Sequence, residues 1–189
     1  MKLALIPVNV RIGDFEDNLK IHFARVNEAV KQGASFLIFP ELSLVGYLPK
    51  DLLQRPSWAA KAAAQLDSFH AWLREHHPTV AVVVGTTVSV VSRSPNPRHL
   101  ANCAVFLHGD RREVRAKTLI PYYDVFHESR YFDSAEVLED KYREPIQHEG
   151  MRLGLLICED SWDEQEVNGK RAYAGHPTQA LVAKGCDFL

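Results

Sequence analysis

The chain has 189 residues, 46% hydrophobic and 24% charged, a composition that suits one folded domain with a real core and excludes a disordered or fibrous chain. A formal net charge of -2, with Lys and Arg scattered rather than gathered on one face, leaves no electrostatic footprint for nucleic acid. No apolar run approaches the length that spans a bilayer, and Met1 to Pro7 is too short and strand-like for a signal peptide, so a cytoplasmic protein without membrane partners is expected.

Taken in order, Lys2 to Asn9 carries Leu3, Leu5 and Val8 and reads as a strand. Asp14 is placed to cap a helix whose Leu19, Phe23, Val26 and Val30 recur at helical spacing, with Gly33 as its stop. Ser35 to Phe39 is a continuous apolar run, the pattern of a strand buried on both faces, and completes a βαβ unit. Pro40-Glu41 ends that strand. A carboxylate at the carboxyl end of a buried parallel strand is costly unless paired or used, and open α/β sheets bind ligands at those ends, so Glu41 is the candidate base. The same position also suits a carboxylate that merely caps the loop from Leu42 to Leu53, which Gly46 and Pro49 break. Ser57 then opens a second helix, with Trp58, Ala62, Leu66, Phe69 and Leu73 as a core stripe and His76-His-Pro78 as its end.

Val80 to Val91 is a β-branched strand with Gly85 inside it, and Ser92 to Arg98, holding Pro95 and Pro97, is a surface loop. Leu100 to His108 and Arg112 to Lys117 flank the turn Gly109-Asp110 and predict a hairpin closed by Lys117. Lys117 to Phe132 packs five aromatics among charges without periodicity, which fits the wall of a small-molecule pocket or, equally, a loop whose aromatics plug the core. Asp133 to Glu149 reads as charged and exposed, and Met151 to Ile157 as a buried strand that stops at Cys158. There Glu159 and Asp160 are expected to turn the backbone back to solvent. A thiol at that place is either inert packing or a nucleophile, and a neighbouring base decides which. Asp163 to Arg171 reads as a polar loop and Thr178 to Lys184 as a short helix stopped by Gly185. Lys184-Gly-Cys-Asp-Phe-Leu189 repeats the grammar of Gln32 to Glu41, which predicts a second βαβ unit cut just after its strand begins and hence a fragment of something longer. Cys103, Cys158 and Cys186 have no paired spacing, so neither a disulfide framework nor a metal site is expected.

Three predicted strand ends thus offer a carboxylate at Glu41, an ammonium at Lys117 and a thiol at Cys158. In one site, Glu41 would take the thiol proton, Cys158 would attack a carbonyl, and Lys117 with a backbone N–H would hold the oxyanion: an amide hydrolase. Phe39 to Tyr47, Lys117 to Phe132 and Leu156 to Trp162 resemble the three signature blocks of the nitrilase, or carbon-nitrogen hydrolase, superfamily. Within it, Pro-Lys-Asp-Leu after Tyr47, Val125 to Phe132 and Cys158 to Trp162 are most similar to the amino-terminal glutaminase domains of the glutamine-dependent NAD+ synthetase family.

The resemblance implies an α/β fold of the α-β-β-α four-layer sandwich type, incomplete at the C-terminus and usually oligomeric. It implies Glu41 as general base, Lys117 as oxyanion lysine and Cys158 as nucleophile. Glu128 would hold the lysine and substrate, Tyr47, Tyr123 and Phe126 would line the pocket, and Glu159 would help orient the amide. It further implies L-glutamine as substrate, hydrolysed through a thioester with no cofactor in this domain. The released ammonia would pass to a C-terminal synthetase domain that uses ATP, Mg and deamido-NAD+. That domain and the last elements of the glutaminase domain are not in these residues. Other readings are a stand-alone nitrilase-type amidase acting on another small amide, and a fragment that keeps the fold without activity.

Overall fold

A computed structural model describes residues 1–164, 166–167 and 170–189. The chain divides into two compact units, one of Met1–Ser89 and Asn102–Val114, the other of Val90–Ala101 and Arg115–Leu189.

The first unit is built on a five-stranded sheet in the order β1 (Leu3–Leu5), β2 (Phe36–Ile38), β3 (Ala81–Ser89), β4 (Leu100–His108) and β5 (Arg111–Ala116). Strands β1, β2 and β3 are parallel, in the register Leu3 to Phe36 to Ala81. Helix α1 (Phe15–Lys31) connects β1 to β2, and α2 (Trp58–His76) connects β2 to β3. Right-handed crossovers between consecutive parallel strands put both helices on one face of the sheet. They pack there against each other, Phe23 stacking on Trp72 with ring centroids 4.3 Å apart. Beyond β4, the two-residue connection Gly109-Asp110 is short enough only for an antiparallel return.

Several expectations hold in detail. Asp14 caps α1 by accepting the N–H of Asp17, and the stripe Trp58, Ala62, Leu66, Phe69 and Leu73 is buried throughout. Ser57 stands at the start of α2 without a side-chain capping bond. The buried face of α1 differs from the apolar spacing: Asn18, His22, Val26 and Ala29 point inward, while Leu19, Phe23 and Val30 are half-buried. The reason is polar satisfaction. Asn18 donates to the carbonyls of Arg11 (2.8 Å) and Leu44 (3.0 Å), and His22 Nε2 lies 3.1 Å from Ser43 Oγ, so α1 turns a hydrogen-bonding face toward the loop after β2.

The second unit departs more from expectation. The stretch from Asp133 to Glu149 is not an exposed segment. Asp133, Ala135, Leu138, Ile146 and His148 are buried, and the stretch forms 3₁₀ turns at Ala135–Val137 and Asp140–Arg143 and the strand β6 (Ile146–His148). Its apolar anchors follow no helix or strand period, so the charges between them dominate the sequence pattern. The strand expected over 151–157 is only β7 (Met151–Leu153), antiparallel to β6. Short strands β8 (Glu166–Val167) and β9 (Lys170–Arg171) lie within the expected polar loop, of which Gln165, Asn168 and Gly169 fall outside the described residues. Helix α3 (Pro177–Ala183) follows, and Gly185, at a φ of 72°, reverses the chain. Leu153 and Phe188 then form a parallel bridge, and the N–H of Gly154 donates to the Phe188 carbonyl at 2.8 Å. This is the pairing that the repeated grammar predicts for a second βαβ unit. No helix among the described residues is long and apolar enough to cross a membrane.

Candidate active site

In the first unit, Glu41 follows β2 directly, after Pro40, and is half-buried. Its Oε1 accepts a 2.7 Å hydrogen bond from Nδ2 of Asn102, a fully buried side chain of β4. The turn that carries Glu41 is held from several sides. Leu42 has a φ of 49°, the N–H of Leu44 donates to the Gly85 carbonyl (3.0 Å), and Gln65 Nε2 donates to the Leu44 carbonyl (2.8 Å). Gly85 is required by close approach: a Cβ there would stand 2.3 Å from Leu42 N and 2.4 Å from Pro40 O. Burial pushes the His22 imidazole down to about 4, so the ring that meets Ser43 is neutral at physiological pH. Tyr47 lies beyond this turn with its side chain exposed.

In the second unit, Lys117 follows β5 and is buried with its Nζ 3.0 Å from both carboxylate oxygens of Glu128. Glu128 opens the 3₁₀ turn Glu128–Arg130 and is itself fully buried. A buried ion pair is costly to assemble and more costly to break, which makes it a fixed cationic point rather than a mobile surface charge.

Cys158 begins the 3₁₀ turn Cys158–Trp162 with a φ of 47°, left-handed for a non-glycine residue. That conformation costs roughly 1–2 kcal/mol, and backbone strain of this kind gathers at functional positions. Its effect is visible in the exposures. Cys158 is exposed, whereas its neighbours Ile157, Glu159 and Asp160 are buried at 5%, 4% and 2% exposure. This reverses the expected order, in which the thiol ended a buried strand and the two acids returned to water. Both acids are buried because they have internal donors. Asp160 accepts the N–H groups of Thr118 (3.0 Å), Leu119 (2.8 Å) and Ile157 (3.0 Å), tying the residues after Lys117 to the residue before Cys158. Burial pushes the Asp160 carboxyl up to about 6 against the opposing pull of those three bonds. Glu159 accepts the hydroxyls of Tyr123 (3.0 Å) and Tyr173 (2.6 Å). Burial first, and the adjacent Glu159 second, raise both tyrosines above their ordinary range. Phe126 meets Tyr123 edge-on at 5.5 Å.

The other thiols differ. Cys103 is buried in β4, where burial pushes its thiol up, and Cys186 is half-buried and also raised by burial. The structure therefore gathers Lys117 with Glu128, and Tyr123 with Phe126 and Glu159, in the unit that exposes Cys158. The sequence reading missed Asn102, Asp160 and Tyr173. Asn102 had a signal, a lone amide inside the apolar strand Leu100 to Leu107; Asp160 had a weaker one, and Tyr173 none beyond its type. Among the described residues, no group of His, Cys, Asp and Glu is placed to hold a metal ion.

An α/β framework that exposes a strained cysteine ahead of two buried acids, in the unit that fixes a buried lysine on a carboxylate, has the features of a nitrilase-type hydrolase. The chain belongs to the carbon-nitrogen hydrolase family, whose model matches residues 2–183. It is 33% identical over 190 residues to the glutamine-dependent NAD(+) synthetase of Synechocystis sp., covering 99% of this chain and 32% of that protein. It is 31% identical to the enzyme of that name from Thermotoga maritima over 88% of this chain and 27% of that one. Among solved structures, the glutamine-dependent NAD+ synthetase of Acinetobacter baumannii superimposes with a TM-score of 0.68 at 29% identity, covering 86% of this chain and 28% of that one. An amidase from Nesterenkonia sp. does so with a TM-score of 0.61 at 25% identity, covering 85% and 56%. The chain spans about a third of the length of the curated relatives it matches.

Proposed function

We propose that this chain is the glutamine amidohydrolase part of a glutamine-dependent NAD+ synthetase, hydrolysing L-glutamine to glutamate and ammonia. The observation that carries this reading is the 33% identity to such a synthetase along 99% of the chain. The ammonia would serve the ATP-dependent amidation of deamido-NAD+ in a synthetase domain, the part to which ATP and Mg belong. A homo-oligomer and a cytoplasmic location complete the reading.

Glu41, Lys117 and Cys158 are its hydrolytic triad. Glu41 takes the Cys158 proton as the sulfur attacks the side-chain amide carbon, and Lys117 with a backbone N–H stabilises the oxyanion. Collapse breaks the C–N bond, with the proton on Glu41 passing to the leaving nitrogen, so ammonia departs and a glutamyl thioester remains. Glu41 then activates a water that attacks the thioester, releasing glutamate and restoring the thiol. Glu128 supports this role by holding Lys117 in place at 3.0 Å. Glu159, held by two tyrosine hydroxyls, helps orient the substrate amide. Tyr47, Tyr123 and Phe126 supply apolar contact to the methylenes.

The test is ammonia release from L-glutamine and from propionamide by the wild type and by Cys158→Ala, with mass spectrometry after exposure to a diazo-ketone glutamine analogue. Glutamine turnover, loss of it in Cys158→Ala and labelling confined to Cys158 are expected. Turnover of propionamide without glutamine would point instead to an amidase like the Nesterenkonia relative.

A further inference from the structure

We infer that Asn102 is a positioning residue for the general base: its side-chain amide fixes the rotation of the Glu41 carboxylate. This rests on the reading of Glu41 as the base.

Three observations carry it. Asn102 Nδ2 donates to Glu41 Oε1 at 2.7 Å, at the short end of amide-to-carboxylate hydrogen bonds. The donor is immobile, because Asn102 is 0% exposed and sits in β4 between Ala101 and Cys103, themselves buried at 0% and 1% exposure. The third is that Asn102 is poorly suited to a purely structural role. Its Oδ1 is buried and has no hydrogen-bond partner among the described residues. A buried carbonyl left unpaired is destabilising, and an apolar side chain of similar volume would suit that interior better. The amide is thus placed where it costs stability, and what it gains there is the bond to Glu41.

The chemistry explains the use. A carboxylate on a flexible two-methylene stem rotates freely, and a base contributes only when its lone pair meets the proton it takes. A donor on Oε1 restrains that rotation and sets the plane of the carboxylate. Asn102 acts through Glu41.

The experiment is a double-mutant cycle of Asn102→Leu and Glu41→Gln, read as kcat and KM for glutamine and as urea midpoint. It is accompanied by the rate of Cys158 alkylation by iodoacetamide, which needs no substrate recognition. Asn102→Leu is expected to lower kcat about 10- to 100-fold, part of the roughly 100- to 10,000-fold that a general base contributes, with KM within about twofold. It should add nothing to the loss in Glu41→Gln, and the urea midpoint should hold or rise. Asn102→Ala, smaller than the native side chain, carries the same activity reading should leucine not be accommodated. Additive losses, a KM effect alone, or a fall in midpoint that accounts for the lost activity would overturn the inference. Equal alkylation rates in wild type and Glu41→Gln would instead sink Glu41 as base. Slow alkylation in Glu41→Gln with wild-type rates in Asn102→Leu would sink the positioning role alone.

Discussion

Replacing Gly85 by alanine tests whether the backbone of β3 sets the position of Glu41. The added Cβ would lie 2.3 Å from Leu42 N, 2.4 Å from Pro40 O and 2.8 Å from the Glu41 carbonyl carbon, whereas ordinary contact begins at 3.4 Å. All three obstacles are backbone, so the turn itself must retreat by roughly 1 Å, and overpacking of this kind costs about 1–3 kcal/mol. The bond from Leu44 N–H to the Gly85 carbonyl spans the same gap, and weakening it adds about 1 kcal/mol. Against this, removing a glycine from the unfolded chain returns about 0.4–1 kcal/mol. The net expectation is a loss of roughly 2–3 kcal/mol. A 1 Å displacement of Glu41, the proposed base, should lower turnover about 100-fold. Gly33→Ala is the control, since a Cβ there meets nothing within 4 Å and only its φ of 83° opposes the change, at about 1–2 kcal/mol. Urea denaturation followed by tryptophan fluorescence gives the stability, and ammonia release gives the activity. Should Gly85→Ala prove as stable as the wild type while keeping more than half its activity, the argument from close approach is wrong.

Lys117→Met breaks the buried pair with Glu128 and should cost about 3–5 kcal/mol, while Lys117→Met with Glu128→Leu recovers most of that stability and none of the hydrolysis. Urea midpoints and ammonia release on both variants check this. For His22, the unfolded ring titrates at 6.5 and the native one at about 4, so between these values the unfolded state binds the extra proton. Its stabilisation is whole above pH 6.5 and is lost as the pH falls toward 4, by roughly 3 kcal/mol; urea midpoints from pH 7 to 4.5 should fall for the wild type and flatten for His22→Gln. Asp160 has the opposite sign. Its native carboxyl is raised to about 6 from 3.8, so its contribution is present at low pH and is lost as the pH rises through 6, a dependence that Asp160→Asn should remove. Limited iodoacetamide with peptide mapping should modify Cys158 well before Cys186 and reach Cys103 only in denaturant; early labelling of Cys103 would contradict its burial.

By itself the sequence determined the elements whose pattern is local. The cap at Asp14, the apolar stripe of α2, the continuous run of β2 and the two-residue turn at Gly109-Asp110 each act through neighbours one to four residues away, and all are present in the structure. The chemical types of the candidate triad, and the pairing of Leu153 with Phe188 implied by a repeated helix-Gly-strand grammar, were legible for the same reason. Only the tertiary structure decided which polar groups lie inside. Asn18 and His22 displace leucine and phenylalanine from the inner face of α1 because the turn after β2 offers them a carbonyl and a hydroxyl. Glu159 and Asp160 are buried, and Cys158 exposed, because tyrosines 36 and 14 residues away and N–H groups 41 and 42 residues away satisfy the acids. A carboxylate is outward by default, and the default fails wherever distant donors replace water; spacing along the chain carries no record of them.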